Sequence, residues 1–190
     1  MNAWEFWEKF KKNIYQNGEL VKAWNNTRDF TNCMIEKLEK LVLAEPGMKT
    51  EREYFRIDLV GYKKRESAEM LYRNLQKYSW DLEVAVEHEN DYRLWVDEVV
   101  KLAHVVCPLR VVIGYLPKSY SHTDVLNEVL DNLKEVKAWE ASSASGDFLI
   151  IIGDCRLKKN AICERCIYTP YRYNYNKDKK IFEELIEETK

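Results

Sequence analysis

The sequence has no apolar run long enough to cross a bilayer. Residues Met1 to Lys12 mix Trp, Phe, Glu and Lys and do not read as a secretory leader. No internal repeat and no low-complexity tract is present, so solenoid and compositionally biased classes are set aside. Neither sign of charge is in large excess. With 30 Lys and Arg against 32 Asp and Glu, the net charge is -2, and any nucleic-acid role needs a local basic face. Cysteines number five, an odd count that, without a secretory leader, implies reduced thiols and a cytoplasmic setting; the lack of a membrane-length apolar run implies no membrane partner. Cys163-x-x-Cys166 has zinc-knuckle spacing and Cys155 lies nearby, but zinc wants four ligands and no His adjoins them. Ordinary thiols are the default reading there.

What is present is an apolar fraction of 46% in 190 residues, enough for one domain over 1–190 with a real core. Aromatics are abundant, with 12 Tyr and 6 Trp, and half-exposed aromatics are often contact surface. Trp4, Trp7, Phe10 and Ile14 recur at helical spacing over residues 3–16, a stripe for the core or for a second copy of the chain. Residues 1–28 read as a helical N-terminal extension. Phe30, Met34, Ile35, Leu38, Leu41 and Val42 mark a second helix over 30–44, stopped by Pro46-Gly47.

Strand signals follow. Residues 54–62 alternate Phe55, Ile57 and Leu59 with Arg56, Asp58 and Val60, one strand with an acid in its middle. Residues 63–78 read as a short helix. Residues 82–89 alternate again: Leu82, Val84 and Val86 point one way, and Glu83, Ala85, Glu87 and Glu89 the other. A helix over 92–106, capped by Asn90-Asp91, leads to the continuous apolar strand 109–115. A helix over 125–136 and a second buried strand over 148–152 come next. Residues 166–173 read as an edge strand because of Pro170, and 181–188 as a C-terminal helix. The order implies an α/β fold, a central mixed β-sheet flanked by helices on both faces.

The candidate chemistry lies in Asp58, Glu87 and Glu89. Adjacent carboxylates repel, and a divalent cation between them relieves the repulsion. Mg²⁺, or Mn²⁺, takes hard oxygen ligands and completes its shell with water and substrate phosphate. An Asp on one strand and Glu-x-Glu on the next, in Arg56-Ile57-Asp58-Leu59 and Val86-Glu87-His88-Glu89-Asn90, resembles the PD-(D/E)XK, or restriction-endonuclease-like, nuclease superfamily. The helix with Trp95, Glu98, Lys101 and Leu102 and the strand 109–115 extend the resemblance over about residues 30–173. It implies a restriction-endonuclease-like sheet and hydrolysis of DNA phosphodiesters. It also implies a Mg²⁺ or Mn²⁺ ion on Asp58, Glu87 and Glu89. The family's third motif residue is usually a lysine, and here that position is Glu89. In some members the lysine moves to the neighbouring helix, which makes Lys101 the candidate; Arg56 is a weaker substitute.

Plainer readings stand beside these. Glu83, Glu87 and Glu89 also fit a solvated strand face, and His88 fits a packed core histidine. Lysine clusters at 11–12, 63–65, 158–159 and 177–180, with Tyr171, Tyr173 and Tyr175, fit solvated turns or a nucleic-acid groove. The rival to an active nuclease is a catalytically inactive module of the same fold that binds a protein partner or DNA.

Overall fold

A computed structural model describes residues 1–15, 17–24, 26–64, 80–91, 93–117, 119–154, 166–175 and 180–186. Three helices open the chain: α1 (Ala3–Asn13), α2 (Gly18–Ala23) and α3 (Thr27–Leu43). α1 begins at a reciprocal capping box in which the Asn2 side chain accepts from Glu5 N–H and the Glu5 carboxylate accepts from Asn2 N–H. Its aromatic stripe is core: Phe6 and Phe10 are fully buried and Trp7 nearly so. The helices α1 and α2 of the expected N-terminal extension therefore form part of a packed layer.

Among the described residues seven strands follow: β1 (Lys49–Tyr54), β2 (Ile57–Lys64), β3 (Trp80–His88), β4 (Leu109–Leu116), β5 (Asp147–Asp154), β6 (Ile167–Asn174) and β7 (Ile181–Glu184). They lie in one mixed sheet in chain order. β3, β4 and β5 run parallel at the centre, and the outer pairs are antiparallel. The crossovers carry α4 (Trp95–Ala103), α5 (His122–Lys134) and α6 (Trp139–Ser143), which bury their apolar sides on one face. α1 to α3 cover the other. The α/β class and the doubly covered mixed sheet are as the sequence implies. β4 is buried along its whole length and carries a near-continuous apolar run, as a strand covered on both faces should.

The structure corrects five elements. Residues 54–62 are not one strand: Tyr54 pairs with Ile57 across a two-residue turn, Phe55-Arg56. Leu82 does not share a face with Val84 and Val86. Gly61 pairs with Val84 and Tyr62 with Leu82, so Glu83 is an extra bulged residue that reverses the alternation. Residues 181–184 form a strand, because pairing with β6 buries Phe182 against Phe148 and Tyr173. β6 is consequently not an edge. Pro170 is accommodated because its carbonyl faces the end of β7, accepting from Leu185 N–H at 2.9 Å; its missing N–H points to that same side, where β7 has stopped. α4 begins at Trp95 and has no side-chain cap; Asp91 instead holds Arg93 through its backbone N–H and guanidinium. The helix expected over 63–78 falls largely outside the described residues.

One close approach sets the position of α4. A Cβ at Gly114 of β4 would lie 2.8 Å from Trp95 Cγ, so only glycine lets the fully buried indole sit this close to the sheet. Trp95 is the first residue of α4, which carries Lys101 a little under two turns on.

Candidate active site

Antiparallel pairing of β2 with β3 matches Val60 to Ala85 and Leu59 to Val86. Continued one step beyond its last pair, that register sets Asp58 opposite Glu87, and the Asp58 charge is close enough to raise the cost of ionising Glu87. Both share the sheet face of Val60 and Ala85, the face covered by α4. The β1–β2 register puts Glu53 on this rung as well, between the pairs Arg52–Leu59 and Tyr54–Ile57.

Glu87 is almost wholly buried, with 1% of its side chain exposed. Burial, joined by the nearby charges of Asp58 and Glu98, pushes its carboxyl up to about 8 despite the opposing pull of Lys101. Asp58 is also raised, by burial first, although its Oδ2 accepts the His88 backbone N–H at 2.8 Å. Lys101 reaches over from α4. Its Nζ lies 2.7 Å from Glu87 Oε1, pairs with Glu98 one turn earlier on the helix, and donates to the Arg56 carbonyl at 2.9 Å. Burial works against the ammonium charge, but the two carboxylates outweigh it and hold its pKa above the ordinary lysine value. Asp58, Glu87 and Glu98 thus share one ammonium, a set with two negative charges in excess when all are ionised, and Glu53 beside Asp58 adds to it.

The structure brings Asp58, Glu87 and Lys101 together. Glu89 stands apart. β3 ends at His88, and the Glu89 carboxylate folds back to accept Asp91 N–H at 2.7 Å, lining an open cleft with Thr27, Thr31, Asn90 and Arg93. Arg56 lies in the β1–β2 turn, not on the strand, and meets Lys101 through its carbonyl. His88 is a buried core histidine whose Nε2 lies 3.0 Å from Tyr115 Oη; burial drives its pKa down to about 3, so it is neutral. Glu98 belongs to the cluster. Its signal in the sequence is the i, i+3 spacing to Lys101 on a helix face.

A second polar group was not legible in the sequence. His122, the first residue of α5, bridges Tyr171 Oη at 2.8 Å and Asp154 Oδ1 at 2.9 Å, tying α5 to β5 and β6. Tyr171, pushed up to about 12 chiefly by burial, is a neutral phenol there. Tyr173 is core, packed on Trp139 and Phe182, so of the three tyrosines suggested for a groove only Tyr175 is exposed.

Among the described residues no three His, Cys, Asp or Glu side chains form a ready-made metal cage. Cys33 and Cys107 are free thiols, whereas Cys166 is disulfide-bonded, against the expectation of reduced thiols throughout. Cys155 and Cys163 lie outside the described residues. No described helix is long and apolar enough to cross a membrane. No protein-family model matches the chain, and no curated protein does.

Proposed function

We propose that the chain is a metal-dependent nuclease of the PD-(D/E)XK type, hydrolysing phosphodiester bonds of DNA. The observation that carries this reading is that Asp58 and Glu87 lie within electrostatic reach of each other and of Lys101 on α4, which ion-pairs with Glu87. Two carboxylates are an ordinary protein contribution to a Mg²⁺ or Mn²⁺ site, the remaining ligands being water and substrate oxygens. Their raised pKa values and the cluster's two excess negative charges favour a dication over further protons as pH rises. The donors fit such an ion through Asp58 and Glu87; Glu89, hydrogen-bonded to its own chain, adds nothing as placed.

A bound divalent ion supplies Lewis acidity at a phosphoryl oxygen and lowers the pKa of a coordinated water. The protein's own groups do the rest. Asp58 and Glu87 fix the position of that charge, and His88 N–H orients the Asp58 carboxylate. Lys101 provides a cation for the charge that accumulates on the phosphate in the transition state. It takes the part of the motif lysine from a neighbouring helix, while Glu98 and the Arg56 carbonyl hold its ammonium in place.

One observation favours the rival, a non-cleaving module of the same fold. The Lys101 ammonium is already engaged by the protein: it ion-pairs with Glu87 and Glu98 and donates a hydrogen bond to the Arg56 carbonyl. The full chain incubated with labelled single-stranded and duplex DNA separates the two readings. A nuclease cuts with Mg²⁺ or Mn²⁺, stops with chelator, and loses activity in Asp58→Asn and Glu87→Gln. Absence of cutting under broad conditions, together with no calorimetric cation binding, removes the nuclease reading.

A further inference from the structure

The β1–β2 turn is built from the wrong residues for its shape. Phe55 and Arg56 both adopt left-handed backbone, with φ of 49° and 66°, and Glu53 just before them has φ 54°. Two-residue hairpin turns with both central residues at positive φ are ordinarily made by Asn-Gly or Gly-Gly. A bulky side chain at positive φ is strained, and strain of this kind collects at functional sites. Phe55 is also 72% exposed, more than any other large hydrophobic residue among those described. A strained position that displays an aromatic ring to solvent serves neither the turn nor the core.

The tip lies beside the acid pair. Arg56 and Asp58 are two residues apart, and the Arg56 carbonyl accepts the Lys101 ammonium proton at 2.9 Å, which ties the turn to the site. Phe55 packs edge-on against Tyr54 at 4.7 Å. Behind Tyr54 stands Trp80 at 5.6 Å, itself stacked on Tyr62 at 3.6 Å. The exposed ring is therefore the free end of an aromatic row braced by the sheet.

We propose that the Phe55–Arg56 tip is a base-stacking element, which seats an unpaired nucleotide beside Asp58 and Glu87 and selects single-stranded or locally opened nucleic acid over intact duplex. This rests on the nuclease reading for the identity of the substrate. Bases stacked in a duplex offer no free face to a protruding ring, whereas an unpaired base does, whatever its sequence. Arg56, exposed beside the ring, supplies the cation that a phosphate backbone needs near Glu53, Asp58, Glu87 and Glu98.

The test compares the full-length wild type with Phe55→Ala, Phe55→Gly and Phe55→Trp. Fluorescence anisotropy measures binding to one short sequence as single strand and as duplex, with Ca²⁺ present, and cleavage is followed in parallel with Mg²⁺ and Mn²⁺. The expected result is tighter binding of the single strand, a loss of roughly tenfold in Phe55→Ala and Phe55→Gly, and recovery in Phe55→Trp. Phe55→Gly should keep or raise the melting temperature, which separates lost binding from lost folding. Single-strand binding unchanged in Phe55→Ala overturns the inference even if the protein cuts DNA, as does a preference for duplex. A protein dimer that dissociates in Phe55→Ala while single-strand binding stays the same also overturns it. Phe55-dependent binding without cleavage supports the stacking element and removes only the nuclease reading.

Discussion

Lys101 Nζ sits 2.7 Å from Glu87 Oε1, joining a helix to a carboxylate that the sheet has almost entirely removed from water. The pair is asymmetric, because Lys101 keeps a third of its side chain exposed and Glu87 keeps almost none. Burying a carboxylate this deeply is costly unless a positive charge stands against it. One lysine shared between two glutamates compensates incompletely, which is why the Glu87 carboxyl titrates near 8.

That shift gives stability a pH dependence of definite sign. The folded-state pKa of Glu87 lies above its unfolded value of 4.5, so its contribution is fully present below pH 4.5 and is lost as pH rises toward about 8. Without divalent cations, thermal unfolding should show falling stability across this window. Glu87→Gln, which carries no titrating proton, should flatten that slope. Identical pH profiles for the two proteins would remove the buried carboxyl from the explanation.

Divalent cations should reverse the loss. A bound ion favours the ionised carboxylates, so the rise in melting temperature on adding Mn²⁺ should be larger at pH 8.5 than at pH 6. Differential scanning fluorimetry at the two pH values reads it. Asp58→Asn and Glu87→Gln should each show little or no rise.

Removing the ammonium tests the same cluster from the other side. Lys101→Met keeps much of the stem's packing and deletes the charge. Glu87 then holds its proton to higher pH, so destabilisation should be small at pH 6 and grow steeply above pH 8. Cleavage should fall about 100-fold or more if the ammonium acts on the transition state. Activity at the wild-type level would place the catalytic cation elsewhere.

Gly114→Ala should act on the site from a distance. The new methyl meets Trp95 at 2.8 Å, and the indole is buried with no room to retreat. A cost of about 1–3 kcal/mol is expected from overpacking, read by chemical denaturation. Since α4 must shift to relieve it, the pH profile should move toward that of Lys101→Met. A loss of stability with no change in the pH profile would show that α4 holds its place independently of this contact.

The turn makes a prediction of opposite sign. Phe55→Gly removes one bulky residue from left-handed backbone, a relief of about 1 kcal/mol, equivalent to about 2–4 °C in melting temperature for a chain of this size. A fall instead would mean that the Phe55 ring stabilises the hairpin more than its backbone strains it.

The acid pair was legible because strand alternation is a local property. Asp58 and Glu87 each sit in a period-two pattern, and both patterns survive close to the site. Away from it the patterns failed for identifiable reasons. The bulge at Glu83 reverses the face of Leu82, and a bulge of this kind has no residue signature. Glu89 repeats the spacing of Glu87, but the strand has ended and the side chain bonds its own backbone. Phe55-Arg56 carries no turn residues, so the hairpin read as a continuous strand. At Ile181–Glu184 four residues are too few for periodicity to separate helix from strand, and pairing with β6 decided it. His122, Asp154 and Tyr171 are far apart in the chain and meet only because α5 starts beside the end of β5.

Isothermal titration calorimetry of the full chain with Mn²⁺ near pH 8 tests for a cation held between Asp58 and Glu87 without needing a substrate. Wild-type protein should bind the ion and release a proton on binding, read as a heat that changes with the buffer's ionisation enthalpy. Asp58→Asn and Glu87→Gln should each lose the binding, while Glu89→Gln should keep it. No binding by the wild type, or equal binding by all four proteins, would contradict a cation held between Asp58 and Glu87.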